Sequence, residues 1–209
     1  MKKQIAVLVS GGGTNLQALI DAQSRGEIIG GEITAVISSD PTAFALERAK
    51  KAGIPGYVVS RKDYSTNQAM TVALVEKLRD LNIDLVVLAG FMTILTSEMV
   101  QAFPNSILNI HPALIPSFAG PGCYGLHVHE KALEYGVKLS GATVHFVSEE
   151  CDGGPIVVQK AVDVLPDDTP EVLQKRIMEQ CEWKILPYAV SLFCQDKLAV
   201  EGRTVRILP

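Results

Sequence analysis

The sequence is poor in cysteine and lacks long runs of any one kind. Its four cysteines, Cys123, Cys151, Cys181 and Cys194, are scattered with no C-x-x-C spacing. That argues against a disulfide framework or a zinc site and for reduced thiols in the cytoplasm. No uninterrupted apolar segment is long enough to span a bilayer, so no membrane is expected as a partner. The start, MKKQIAVLVSGGG, carries two lysines before an apolar run. The run is short and ends in glycines rather than at a small-residue cleavage site, so it reads as a first strand and not as a signal peptide. Lys/Arg clusters never exceed a local pair and the formal net charge is -4, so a nucleic-acid surface is not expected. The run G-x-x-x-x-G-K-[ST] is missing, which removes the ATPase phosphate loop. H-E-x-x-H is missing too, and the four histidines form no tight ligand cluster, so no metal is expected. Internal repeats, low-complexity tracts and linkers are also absent.

What is present is an alternation. With 209 residues and 47% hydrophobic content the chain can bury one good core and is expected to form one domain over 1–209. Apolar β-rich runs at Gln4 to Val9, Ile33 to Ser38, Gly56 to Val59, from Leu85 and at Ile107 to Ile110 alternate with helical patterns. Those patterns run at Leu16 to Ser24, Phe44 to Ala52, Asn67 to Leu81 and Ser97 to Phe103. Strands apolar on both faces, such as Ile5 to Val9, suit a parallel sheet covered by helices, an α/β architecture. After Pro112 the rhythm changes. A Gly/Pro-rich loop reaches Gly125, and a helix is predicted from Val128 to Tyr135. Gly141 to Val147 and Ile156 to Val164 then flank SEECDGGP as an antiparallel pair. A last helix is predicted to start after Thr169 with Pro170 at its first position and to run towards Leu192, disturbed at Pro187.

Two places could carry chemistry. The first is SGGGTNLQ, Ser10 to Gln17, at a strand-to-helix junction, where glycines permit close approach and a helix N-terminus offers free N–H groups to an anion such as phosphate. The same residues also read as a tight turn with Thr14 and Gln17 forming a capping box. A dinucleotide fingerprint fits less well, since Leu16 stands where the third glycine belongs, and Asp40 in SSDPT is equally a turn residue. The second place is SILNIHPALIPSF, where Asn109 and His111 alternate on a strand and therefore point the same way. An amide can donate to a developing oxyanion, an imidazole can move a proton, and a carboxylate such as Asp152 can orient and charge it. Asp152 also reads as part of a D-G-G turn closing a hairpin, and Asn109 and His111 as a satisfied strand end. His145 lies on a strand, and His127 and His129 at a helix start.

The motifs SGGGTNLQ, DLVVLAGFMTIL, LNIHPALIPSF, GLHVHEKAL, GATVHFV and DGGPIVVQ run almost from end to end. Through them the chain resembles the folate-dependent formyltransferase family, specifically the members that move a formyl group from 10-formyltetrahydrofolate to the amine of glycinamide ribonucleotide. The resemblance implies a three-layer α/β/α formyltransferase fold with a mixed, mostly parallel seven-stranded sheet. Its N-terminal nucleotide-binding half covers about 1–110 and its folate and catalytic half about 111–209. It casts Asn109, His111 and Asp152 as the catalytic group, and Gly13, Thr14 and Asn15 as holders of the substrate phosphate. Glu182 is implied as a contact to the ribonucleotide. Met92, Ile94, Leu95 and the loop of Ser148, Glu149, Cys151 and Asp152 are implied to meet the folate co-substrate, with no metal. The implied partners are glycinamide ribonucleotide and the folate, and a homodimer is compatible with the family.

The sequence departs from the family pattern at Trp183, where His often follows Glu, and at Asn67 and Thr93, where arginine is frequent. The segment AGPGCYG is also longer than in the shortest versions. The chemistry implied is direct transfer: the amine attacks the formyl carbon while Asn109 and a protonated His111, kept charged by Asp152, stabilise the oxygen. The related deformylases use water as acceptor and carry an extra N-terminal domain, whereas this chain starts at its first strand, so transfer is expected over hydrolysis. A nucleotide-binding module without catalysis is disfavoured by the presence of Asn109, His111 and Asp152 together.

Overall fold

Strand β1 (Lys3–Val9) is the spine of the molecule because its side chains are apolar on both sides. Ile5, Val7 and Val9 enter one core, whereas Ala6 and Leu8 enter the other, the period-two division that a strand buried on both faces requires. The computed structural model describes all 209 residues. After β1 come α1 (Thr14–Ser24), β2 (Gly31–Ser38), α2 (Phe44–Lys51), β3 (Gly56–Val58), α3 (Asn67–Asp80), β4 (Leu85–Leu88), α4 (Ser97–Ala102) and β5 (Ile107–His111). The second half holds α5 (His127–Tyr135), β6 (Leu139–Phe146), β7 (Ile156–Asp163), α6 (Pro170–Ile177), α7 (Trp183–Cys194), β8 (Leu198–Glu201) and β9 (Thr204–Ile207). Leu16, Leu19, Ala45, Ala49, Leu173, Leu186 and Val190 from α1, α2, α6 and α7 cover one face. Met70, Leu74, Leu78 and Met99 from α3 and α4 cover the other. The three layers expected from the sequence are therefore present.

All nine strands join one sheet in the order β3-β2-β1-β4-β5-β6-β7-β9-β8. Strands β1 to β5 pair in parallel, and β6 is antiparallel to both β5 and β7. The expected seven strands become nine because the C-terminal segment forms an extra hairpin, β8 with β9, joined through Gly202 at φ 60°. Its strands are short and their residues half-buried or exposed, so they lack the apolar run that marks the inner strands; the turn-forming E-G-R-T was the available signal. The chain moves outward from β1 through β2 to β3, then restarts on the other side with β4. Such a reversal leaves a crevice beyond the carboxyl ends of the strands, where α/β proteins bind ligands.

The long C-terminal helix also differs from expectation. Pro187 lies inside regular α7, and the irregularity is a π-helical turn at Met178–Glu182, just before it. A proline cannot donate to the carbonyl four residues back and its ring crowds that carbonyl. A widened turn immediately upstream accommodates this without ending the helix. Thr169 caps α6 by accepting from Val172 N–H, with Pro170 following it as expected.

Candidate functional site

Two groups of residues meet at this crevice. The first is built largely from backbone. The N-cap of α1 is Gly13, in the left-handed region at φ 70°, and no side chain caps the helix. The expected capping box is thus not formed: Thr14 Oγ1 faces Met178 Sδ at 3.9 Å, and Gln17 Nε2 donates to Asp21 Oδ1 at 2.8 Å. The first intrahelical bond runs from Gln17 N–H to Gly13 O at 2.9 Å. The N–H groups of Thr14, Asn15 and Leu16 consequently have no helical acceptor, which leaves a positive helix end without a side-chain oxygen on it. Glycine is required at position 13, since a Cβ there would lie 2.7 Å from the Ala45 Cβ. Asp40 closes its own turn, accepting from Thr42 N and Oγ1 at 2.8 and 2.7 Å, so it is a turn residue.

Glu182 sits in the π-helical turn and joins this group. It is 5% exposed, and its Oε2 accepts from Asn15 Nδ2 at 2.6 Å. Burial pushes its carboxyl up to about 7, only partly offset by the Asn15 hydrogen bond. The Oδ1 of Asn15 is buried and has no partner. Trp183, next in the chain, lines a cleft of about 430 Å³ with Thr14, Gln17 and Arg48.

The second group is built from side chains. Asn109 and His111 project from the same side of β5, and β6 presents His145 directly opposite Asn109. Asn109 Nδ2 donates to His145 Nε2 at 3.1 Å, while His145 Nδ1 donates to the carbonyl of Phe146 at 2.8 Å. Asp152, left-handed at φ 53° in the β6–β7 connection, reaches both strands. Its Oδ1 lies 3.5 Å from Asn109 Nδ2 and 3.7 Å from His145 Nε2, and its Oδ2 lies 3.6 Å from His111 Nδ1. Gly120 N–H donates to the same Oδ2 at 2.9 Å. Asp152 is therefore a turn residue that also lies beside side chains of both strands.

Burial dominates the titration of His111. The imidazole is 4% exposed, and desolvation lowers its pKa below 6.5 despite the opposing charge of Asp152 and the carbonyl of Phe118. Its Nε2–H donates to Phe118 O at 2.8 Å. The expectation that Asp152 keeps His111 protonated is corrected: at 3.6 Å the carboxylate is beyond hydrogen-bond range and its attraction is outweighed. Burial alone would raise the Asp152 pKa, but the imidazoles of His145 and His111 and the Gly120 N–H hold it below its ordinary value.

The residues implied to meet folate are less closely gathered. Met92 and Ile94 stand 54% and 76% exposed beyond β4, whereas Leu95 packs inward against the α3/α4 core. Met92 N–H donates to Ser10 Oγ at 2.8 Å, joining this segment to the glycine loop. Cys151 is beside Asp152, with Sγ 3.8 Å from Oδ2. Ser148 Oγ donates to Glu150 O at 3.1 Å, and Glu149 is exposed. No group of three or more His, Cys, Asp or Glu is arranged to hold a metal ion. Sequence reasoning missed the part played by His145 and by the backbone of Phe118 and Gly120. His145 could have been found from strand pairing; the loop contacts had no sequence signal.

The formyl transferase family model matches residues 3–190. The chain belongs to the formyl transferase family. It is 45% identical over 199 residues to the phosphoribosylglycinamide formyltransferase of Haemophilus influenzae, covering 95% of this chain and 91% of that relative. The crystal structure of glycinamide ribonucleotide transformylase 1 from Symbiobacterium toebii matches with TM-score 0.94 and 46% identity, covering 100% of this chain and 95% of that one. A formyltetrahydrofolate deformylase from Pseudomonas syringae shares the fold with TM-score 0.88. Its identity is only 26%, and the match covers 100% of this formyl transferase chain and 67% of that one.

Proposed function

We propose that this chain transfers the formyl group of 10-formyltetrahydrofolate to the amine of glycinamide ribonucleotide, a step of purine biosynthesis. The observation that carries this reading is the pairing of two unlike sites at one crevice: a glycine-capped helix end suited to a phosphate, and an Asn–His–Asp group suited to acyl transfer. Gly13, Thr14 and Asn15 hold the phosphate, and Glu182 meets the ribonucleotide. Met92 and Ile94 offer exposed apolar surface to a flat pterin, and Ser148 to Asp152 close the folate side.

Asn109 has two amide hydrogens. One is taken by His145, and the other faces Asp152 at only 3.5 Å, a contact too long to compete with a developing oxyanion. His111 begins neutral and receives the proton that the amine loses as its nitrogen bonds to the formyl carbon. Asp152 stabilises the imidazolium so formed, which gives the proton to the folate nitrogen as its bond to carbon breaks. No covalent enzyme intermediate is needed. Partial desolvation and the charge of the neighbouring Asp152 push the thiol of the exposed Cys151 up and away from thiolate.

The deciding assay supplies 10-formyltetrahydrofolate with and without glycinamide ribonucleotide. Folate consumption is expected to depend on the ribonucleotide and to match formation of its formylated product. Full-rate release of formate with water as the sole acceptor would assign the chain to hydrolysis instead.

A further inference from the structure

A loop that binds an anion through its N–H groups must keep its carbonyl dipoles turned away, because an inward carbonyl repels negative charge. All three glycine carbonyls here are held. Gly11 O accepts from Ala45 N–H at 3.0 Å and Gly13 O from Gln17 N–H at 2.9 Å, both fixed by helix backbone. Gly12 O alone is held by a side chain, accepting from Arg48 Nε at 2.8 Å.

Arg48 is itself fixed from three directions. Its Nη1 donates to Gln17 Oε1 at 3.0 Å, and Gln17 is oriented in turn by donating to Asp21. The guanidinium carbon lies 5.1 Å from the ring centroid of Phe44, one turn earlier on α2. Both acceptors are neutral oxygens, a main-chain carbonyl and a side-chain amide. A lysine could reach one of these oxygens but lacks the planar fork that bridges both.

We infer that Arg48 is a positioning residue for the substrate phosphate: it keeps the Gly12 carbonyl turned away from the anion and acts through the loop rather than on the ribonucleotide itself. This rests on the proposed transfer to glycinamide ribonucleotide. Arg48→Met keeps most of the stem and removes both donors. It should raise KM for the ribonucleotide about tenfold or more, the worth of a charge-assisted hydrogen bond. The kcat at saturation and the KM for folate should stay unchanged, and Arg48→Lys should fall between variant and wild type. The dephosphorylated ribonucleoside gives the loop nothing to hold, so its kcat/KM should be equal in wild type and Arg48→Met.

Calorimetry with ribose 5-phosphate provides a readout free of catalysis, in which Kd should rise by the same factor. Equal loss on both amine substrates, or an unchanged KM and Kd, would overturn the positioning role, as would a wild type that does not bind ribose 5-phosphate. A wild type that binds ribose 5-phosphate, loses that binding with Arg48→Met and yet formylates no ribonucleotide would keep the role and sink the functional proposal.

Discussion

The glycine loop and the Asn109–His111–Asp152 group lie at the same end of the sheet but are built from different materials. In the loop the working atoms are main-chain N–H groups, exposed to a ligand because Gly13 caps the helix in place of a side chain. In the other group they are side-chain atoms from two strands and a turn, held 3.1–3.7 Å apart by strand pairing. Backbone sites are altered by changing shape, and side-chain sites by changing chemistry. Substitutions in the two regions should therefore separate binding from turnover.

The largest effect belongs to the side-chain group. His111→Ala or Asn109→Ala should lower kcat on the order of a hundredfold or more, with far smaller changes in substrate KM, because both groups act on charge that appears in the transition state. Steady-state kinetics would expose the error if either variant turned over near the wild-type rate. The wild-type profile should also place the acidic limb of kcat/KM below pH 6.5. His111 must be neutral to accept a proton, and burial lowers its pKa.

A smaller, differently distributed effect is expected in the loop. Gly13→Ala puts a Cβ 2.7 Å from that of Ala45 at φ 70°, and the left-handed conformation alone costs roughly 1–2 kcal/mol. The unfolding midpoint should fall and the ribonucleotide KM rise. Gly12→Ala meets nothing within 4 Å and should leave the midpoint unchanged. A KM that stays constant in both folded variants would remove the loop from substrate binding.

The smallest effect tests Glu182, the buried carboxyl that accepts from Asn15. Its folded pKa of about 7 is above the ordinary 4.5, so the folded state holds the proton more tightly and stability falls as pH rises from 4.5 through 7. Glu182→Gln keeps an acceptor for Asn15 and cannot ionise. Its midpoint should exceed that of wild type by several degrees at pH 8 and match it near pH 4.5. Equal differences at both pH values would show that Glu182 is not buried against its charge.

Much of this molecule is local, and local physics is legible in a sequence. The inner strands announced themselves by apolar residues on both faces, Thr169 and Pro170 marked a helix start, and the spacing of Asn109 and His111 placed both on one side of a strand. Membership of the formyl transferase family was legible for the same reason, since its motifs are contiguous. The tertiary structure decided what depends on residues far apart in the chain. His145 meets Asn109 across 36 positions, Glu182 reaches Asn15 across 167, and Arg48 crosses 36 to Gly12. The titration of His111 was decided there too. A carboxylate beside an imidazole predicts a raised pKa only when distance and burial are unknown; at 3.6 Å, in a nearly water-free position, desolvation wins.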